Sequence, residues 1–492
     1  MEKSLASDKQ EINRNTKKER EASLYQLLKE YGESDYYGFH MPGHKRRPGG
    51  VEYPFQIDIT EIDGFDDLHH PQKNGVLVQA QGRAAYLYGA EETHFLVNGS
   101  TAGILSAISG CTSQNGRILM ARNCHRSVYH AAVIGNLDAV YIYPQRVENM
   151  WINGAILPED VDFALTSNEG IQAVVITSPT YDGVCSDIRG IAESCHRAQV
   201  PLIVDQAHGA HFPFSEYFPE DALTAGADVV IHSVHKTLPS LTQTALLHIN
   251  GKLANREKIR FYLSVYQSSS PSYVLMASID RCMELLEEKG EELFRDYICQ
   301  LKDFREKCQD LCNLSLEGEN FARGKAVWDF DQSKLLVSTG NSGITGTELA
   351  RLLLERYHIQ MEMATPYYLV GISSVADTKE GFMRLSQALH ELDAEIGQKL
   401  TAPKTVAVQE IERTWAPVRM GTALEHVREL IDMKECEGRT AAAFTYLYPP
   451  GIPLLAPGEM ILPGILRQIQ IYQEAGLEIH GLIKGTQIFV LN

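Results

Sequence analysis

The stretch PLIVDQAHGAH (201–211), followed by DVVIHSVHKTLP (228–239), decides the fold. Each part opens with a short, unbroken apolar run that ends on a polar group, and AVVIT (173–177) has the same form. Strands of this kind are buried on both faces, which belongs to a parallel sheet covered by helices. Right-handed crossovers then bring the C-terminal strand ends to one edge, where such folds bind ligands. Thr93–Val97, Arg117–Met120 and Ala139–Tyr143 read as further strands, with helical segments at Gln79–Tyr88 and Ile104–Ile108. The loops at Asn98, Arg122, Ser178, Asp205 and Ser233 all follow strand ends, so one edge gathers the candidate groups.

Those groups point to one chemistry. Lys236, in Ser233-Val234-His235-Lys236, stands thirty-one residues after Asp205. A lysine among Ser and His residues can hold an aldehyde as a Schiff base. An aspartate closing an apolar strand can keep a pyridinium nitrogen positive. Together they specify a pyridoxal phosphate (PLP) site, because the electron sink of that cofactor works best when its ring nitrogen keeps its proton. Ser100 and Thr101 lie where a strand turns into a helix, a place for an anion or for a plain N-cap. His125 follows the next strand and is either a ring that stacks on the cofactor or a solvated loop histidine. Ser233 is placed to reach the same phosphate. His208, three residues past Asp205, can bond that carboxylate or face the substrate.

Bulk properties set the frame. The 492 residues exceed what one core supports. The formal charge of -18 argues against nucleic acid as the main partner. Nine cysteines without CxxC or Cys/His ligand spacing fit free thiols in a reducing compartment, with neither a disulfide frame nor a metal site. No run has the length of a membrane span. Met1–Glu21 is charged and lacks the apolar core of a signal peptide, so a cytoplasmic location is expected.

Four regions are expected: an N-terminal arm and helix (1–45), a large cofactor-binding domain (46–290), a small α/β domain (291–400) and a C-terminal module (401–492). Glu21–Tyr31 has helical spacing, and a long helix starts near Ser272. Lys334–Ser338 reads as a strand, Thr347–Tyr357 as a helix and Thr401–Val408 as a linker, while YPPGIPLLAPGE (448–459) marks the last module.

The chain resembles the Orn/Lys/Arg decarboxylase family of fold-type I PLP enzymes, in its short bacterial branch. The likeness covers nearly everything after residue 20, through FHMPGHK (39–45), DDLHHP (66–71), NGST (98–101), RNCHRS (122–127), SPTYDG (178–183), VDQAHGAHF (204–212), SVHKTLP (233–239), SSSPSY (268–273) and YPPGIPLLAPGE (448–459). The resemblance implies an aspartate aminotransferase-like large domain with a mostly parallel sheet. Lys236 would carry the cofactor, Asp205 would pair with its ring nitrogen, and His125 would stack on the ring. Ser100, Thr101 and Ser233, with His235 beside them, would hold the phosphate, and His208 would sit close by. Ser268, Ser269 and Ser270 would reach into the neighbouring subunit's site, which implies at least a homodimer. Two positions depart from the family pattern: Gln206 stands where a carboxylate is usual, and Ala443 where short-branch relatives often carry Glu.

The implied activity is α-decarboxylation of lysine, arginine or ornithine to a polyamine-type amine. A basic side chain calls for an acidic pocket, for which Asp63, Asp66, Asp67 and Glu459 are available. The same fold also supports aminotransferases and other lyases, and a non-catalytic homologue is a third reading.

Overall fold

A computed structural model describes residues 34–40, 43, 45, 57–60, 62, 65–147, 150, 152–318, 321, 324–340, 342–399, 412–447, 451–474 and 476–492. The expected helix at Glu21–Tyr31 and the linker at Thr401–Val408 lie outside these. The chain divides into Met1–Tyr37 and Gly38–Asn492, and everything below belongs to the second unit.

The apolar runs become one seven-stranded sheet. Its strands are β1 (Glu92–Leu96), β2 (Arg117–Ala121), β3 (Asp138–Ile142), β4 (Ile171–Thr177), β5 (Leu202–Asp205), β6 (Val229–His232) and β7 (Ala245–Ile249). They lie in the order β1-β7-β6-β5-β4-β2-β3. The five strands from β6 to β3 are mutually parallel, and β7 runs antiparallel to both β6 and β1. Every residue of β5, β6 and β7 is buried, because helices cover both faces. The sheet is therefore mostly parallel, as its unbroken apolar runs require, with one antiparallel strand that the sequence reading did not include.

Register aligns the site. Thr177 and Ile231 flank Asp205 across the sheet, so three strand ends finish level. β1 points the same way as β6, which brings Asn98 to that edge. The chain leaves β2 toward β3 and β4 toward β5, in opposite directions. This makes a topological switch point between β2 and β4, where open α/β sheets form their ligand crevice. Helix α1 (Gly99–Cys111) starts after β1, α2 (Arg126–Ile134) after β2, and the one-turn α3 (Val234–Thr237) after β6.

Helix α4 (Tyr273–Lys307), 35 residues long, leads on to a second, antiparallel sheet. That sheet contains β8 (Ser315–Leu316), β9 (Lys334–Ser338), β10 (Met363–Ala364) and β11 (Tyr368–Ile372) in the order β8-β9-β11-β10. A shared core of Val184, Phe330, Leu336, Met363 and Val370 seats this sheet against the loops of the first. The C-terminal residues pair β12 (Arg428–Asp432) with β16 (Gln487–Leu491). They also flank β13 (Thr445–Leu447) with β14 (Ile452–Leu455) and β15 (Ile479–His480). Their core includes Ala441, Leu455, Ile465, Ile469, Ile488 and Val490. No helix of the described residues is long and apolar enough to cross a membrane.

Candidate active site

Lys236 projects from α3, a single turn that follows β6 without pause. Its Nζ lies 2.9 Å from Nε2 of His208, which follows β5. The opposite ring nitrogen, Nδ1, lies 2.8 Å from Nζ of Lys334, at the start of β9. One imidazole is thus held between two amines. Burial lowers the Lys236 pKa, an effect opposed by the charges of Asp205 and Glu362. Burial also holds His208 well below the usual imidazole range, and Lys236 and Lys334 push it further the same way. The ring is therefore neutral, with one N–H and one lone pair.

Asp205 closes β5 and is 3% exposed. Its Oδ1 accepts a hydrogen bond from the Ala207 N–H at 3.2 Å. Burial raises its pKa, against the pull of Lys236. A carboxylate so enclosed and so sparsely bonded needs a cationic or N–H partner. His125 caps α2: its Nδ1 accepts from the Ser127 backbone N–H and lies 2.8 Å from Ser127 Oγ. Burial, with Lys236, Arg126 and His130 nearby, pushes its pKa down to about 3. The result is a neutral, oriented ring whose Nε2 carries the hydrogen.

The expected anion cradle has two walls. At the start of α1, Asn98 makes no side-chain cap bond; the Gly99 N–H donates to the Gln243 carbonyl at 3.0 Å, which leaves the N–H groups of Ser100 and Thr101 as the candidates for an anion. At the start of α3, the buried Ser233 Oγ has no hydrogen-bond partner among the described residues. A buried hydroxyl without a partner is uncommon, and a phosphate oxygen would satisfy it. His235 Nδ1 lies 2.8 Å from the Thr244 carbonyl, which only an N–H can bond. Its Nε2 is then a lone pair unless the ring is charged. Ser268, Ser269 and Ser270 are exposed in the single chain. Their recorded bonds are to His69 and among themselves, not to the Lys236 cluster.

Comparison with known proteins places this geometry. The model described as "Orn/Lys/Arg decarboxylase, major domain" matches residues 22–335, and that described as "Orn/Lys/Arg decarboxylase, C-terminal domain" matches residues 407–487. The chain belongs to the Orn/Lys/Arg decarboxylase family. It is 34% identical over 456 residues to an arginine decarboxylase of Halalkalibacterium halodurans, covering 90% of this chain and 91% of that one. Over 469 residues it is 31% identical to an arginine decarboxylase of Bacillus subtilis, covering 94% and 95%. Among solved structures it is similar to a lysine decarboxylase of Francisella novicida, with a TM-score of 0.72 at 20% identity, covering 87% and 73%. At that identity the likeness shows the fold, which is the fold-type I architecture. Family membership makes the chain a PLP-dependent amino-acid decarboxylase, and its relatives act on basic amino acids.

The residues present fit that cofactor. Among the described residues Asp205 makes no ion pair and the Ser233 hydroxyl has no partner, the α1 start has no side-chain cap, and Lys236 has a depressed pKa; together these match a pyridinium, a phosphate and an aldehyde. Gln206 now has a structural role. Its Oε1 lies 2.7 Å from His232 Nε2 and accepts from the Ala222 N–H, within a buried polar network that includes Asp221. The Ala443 segment lies beside α2: Phe444 packs edge-on to His130 and Tyr129.

The acidic candidates divide. Glu459 is spent on an internal ion pair with Arg122 at 3.0 Å. Asp67 bonds the His69 N–H and His70. Asp66 is buried, with one oxygen unpartnered, and Asp63 lies outside the described residues. The sequence reading passed over Lys334 and Tyr181, which touch His208, and Glu362 and Asp182, whose charges reach Lys334. Tyr181 stands edge-on to His208 and donates its hydroxyl hydrogen to Glu362. The available signal was Asp331-Gln332-Ser333-Lys334, a charged pair opening a strand that is otherwise apolar. A separate cavity of about 570 Å³, lined by Arg122, Tyr143, Asp182, Tyr367 and Tyr472 among others, does not include Lys236 on its wall.

Proposed function

We propose that this chain decarboxylates arginine at Cα with PLP held at the β5–β6 edge. The reading rests on one observation above the rest: the amine of Lys236 lies 2.9 Å from a neutral His208, at the same sheet edge as a buried Asp205 that makes no ion pair among the described residues. Lys236 would carry the cofactor and Asp205 would pair with its ring nitrogen. His125 would cover one face, and Ser233 with the open start of α1 would hold the phosphate. Ser100 and Thr101 would add hydroxyls there, with His235 beside them, and Ser268–Ser270 would complete the site of a second subunit in a homodimer. Bound there, PLP supplies an electron sink for the pair left when the Cα–carboxylate bond breaks.

The protein's own part is orientation and proton transfer. Lys236 Nζ and His208 Nε2, 2.9 Å apart, are the proton carriers this edge offers, and the proton that returns to Cα would leave one of them. Arginine is preferred over lysine because four relatives named arginine decarboxylase stand at 30–34% identity and those named lysine decarboxylase at 23–25%, where a biodegradative arginine decarboxylase of Escherichia coli also stands, at 23%.

The test is a panel of carboxyl-labelled arginine, lysine and ornithine with PLP-loaded protein. Labelled CO2 from arginine above the other two is expected. Keto-acid formation without CO2 would overturn the decarboxylase reading for this site, and a preference for lysine or ornithine would overturn only the substrate. Lys236→Ala should abolish borohydride-trapped cofactor and reduce turnover to background.

A further inference from the structure

The cavity of about 570 Å³ lies where the chain leaves three neighbouring strands of the large sheet. Asn123 follows β2, Tyr143 follows β3, and Asp182 lies in the loop after β4. Tyr368 adds to its wall from the second sheet, and Tyr472, on the helix Pro463–Glu474, from the C-terminal residues. Three parts of the chain thus close around a space of the size that holds a small molecule. Its wall continues into the proposed active site at two places. Asn123 stands two residues before His125, and Asp182 follows Tyr181, whose ring meets His208 edge-on.

Charge selects the ligand. Asp182 is 6% exposed and makes no ion pair among the described residues. Its Oδ1 accepts a hydrogen bond from the Tyr368 hydroxyl at 2.8 Å. The cation within electrostatic reach is Lys334, whose amine is turned to Nδ1 of His208. Burial raises the Asp182 pKa to about 6, so at neutral pH a largely ionised carboxylate stands in this wall short of a counter-ion. The other charged groups of the wall are engaged. Arg122 pairs with Glu459, the Arg413 guanidinium lies 5.5 Å from the centre of the Tyr143 ring, and Arg146 has contacts of its own. Glu412 accepts the Gly464 N–H at 2.8 Å. Tyr368 and Tyr472 lie within electrostatic reach of Asp182 and of each other. Tyrosine rings beside a carboxylate are the surroundings that an organic cation favours.

We propose that this cavity binds a guanidinium or primary ammonium group on a short aliphatic chain, with Asp182 as its counter-ion and Tyr368 and Tyr472 as its aromatic wall. That chemistry has two sources: the side chain of the amino acid under decarboxylation, or a second, free molecule of the same class. The first source rests on the proposed reaction, and the second does not.

The experiment uses the full-length protein stripped of cofactor, with propylguanidinium as the probe. The probe has no primary amine and no carboxylate, so it forms no imine and its binding is independent of the cofactor reading. Saturable binding by ligand-observed NMR is expected, and a soaked crystal should place the guanidinium against Asp182. Asp182→Asn keeps an acceptor for Tyr368 and should weaken binding at least about tenfold, as the loss of a charged hydrogen-bond partner does. Tyr472→Leu should weaken it a few-fold, and butyrate, an anion of similar length, should not bind there. The proposal is overturned by absence of saturable binding, by a guanidinium seated away from Asp182, by butyrate taking its place, or by equal affinity in Asp182→Asn. If that variant fails to fold, the soaked wild-type crystal and Tyr472→Leu decide. The PLP-loaded enzyme turning over arginine then separates the sources. Competitive inhibition by the probe, with a raised KM for arginine in Asp182→Asn, assigns the cavity to the substrate's own side chain. Inhibition that arginine does not relieve assigns it to a second molecule. Absence of labelled CO2 from every amino acid would sink the decarboxylase reading and leave the binding result standing.

Discussion

Glu459→Gln tests whether the C-terminal module is bolted to the loop that carries His125. Arg122 precedes Asn123-Cys124-His125 and is nearly buried. Its guanidinium donates to the Tyr129 hydroxyl, to the carbonyls of Pro453 and Leu454, and to Glu459 Oε2 at 3.0 Å. Glu459 is 0% exposed and also accepts from the Ala456 N–H. At an effective dielectric near 20, unit charges 3 Å apart attract by roughly 5 kcal/mol. Removing one partner of a buried pair typically costs about 3–5 kcal/mol, because the other charge stays behind. The glutamine oxygen keeps part of the bond, so about 3 kcal/mol is expected. Hydrogen exchange is the assay. The amides of Ala441, Ala442 and Leu491, bonded within the module, should exchange roughly a hundredfold faster, while those of β5 and β6 stay protected. The double variant Arg122→Met/Glu459→Met should recover most of the loss, since apolar replacement of a whole buried pair is often close to neutral. The reasoning is refuted if exchange in the module changes less than threefold, or if the double variant is worse than the single.

Other consequences are as specific. Ser233→Ala should weaken PLP binding about tenfold to a hundredfold, the worth of one hydrogen bond to a charged group, while the apo-protein melts no lower because that hydroxyl has no partner to lose. Asp205→Asn should raise apo-protein stability at pH 7 and lower kcat at least about a hundredfold. The folded Asp205 pKa lies above its unfolded value, so the native state binds more protons, and stability falls as pH rises through that window; amide replacement removes the penalty. His125→Phe should flatten the acid limb of apo-protein stability between pH 6.5 and about 3. The His125 pKa is depressed to about 3, so the unfolded chain takes up the proton first, and stability drops by up to about 1.4 kcal/mol per pH unit there. Each is read by thermal melts across pH and by cofactor titration.

The parallel part of the sheet was legible because its chemistry is local. A strand covered on both faces must be apolar at every position, and AVVIT, PLIVD and DVVIH are. β7 has the same apolar character, but nothing in its composition says that it runs the other way, since direction is set by the connection from Lys236 back across the sheet. The strand ends were legible too: Asp205 and the Ser233–Lys236 turn come to one edge because register brings Asp205 level with Ile231. Glu459 counted among the available acidic residues for a physical reason. An acidic residue in a proline-rich turn reads as available for a ligand, and only the fold shows an arginine 337 positions earlier already holding it.

Lys334 shows where such reading stops. A lysine at the start of an apolar strand is ordinarily a solvated end, and Asp331-Gln332-Ser333-Lys334 has the composition of a turn. Its importance depends on three separations that sequence does not contain: Gly183 leaving room for the stem, His208 lying at its tip, and Lys236 lying beyond that ring. Gln206 makes the same point from the opposite side. Its neighbours Asp205 and Ala207 belong to the site edge, while its own amide turns to His232 behind the sheet, because successive residues leaving a strand face opposite ways. A change at Gln206 therefore alters the polar contacts of His232, and a change at Lys334, 128 positions from Gln206 in the chain, alters the contact to Nδ1 of His208.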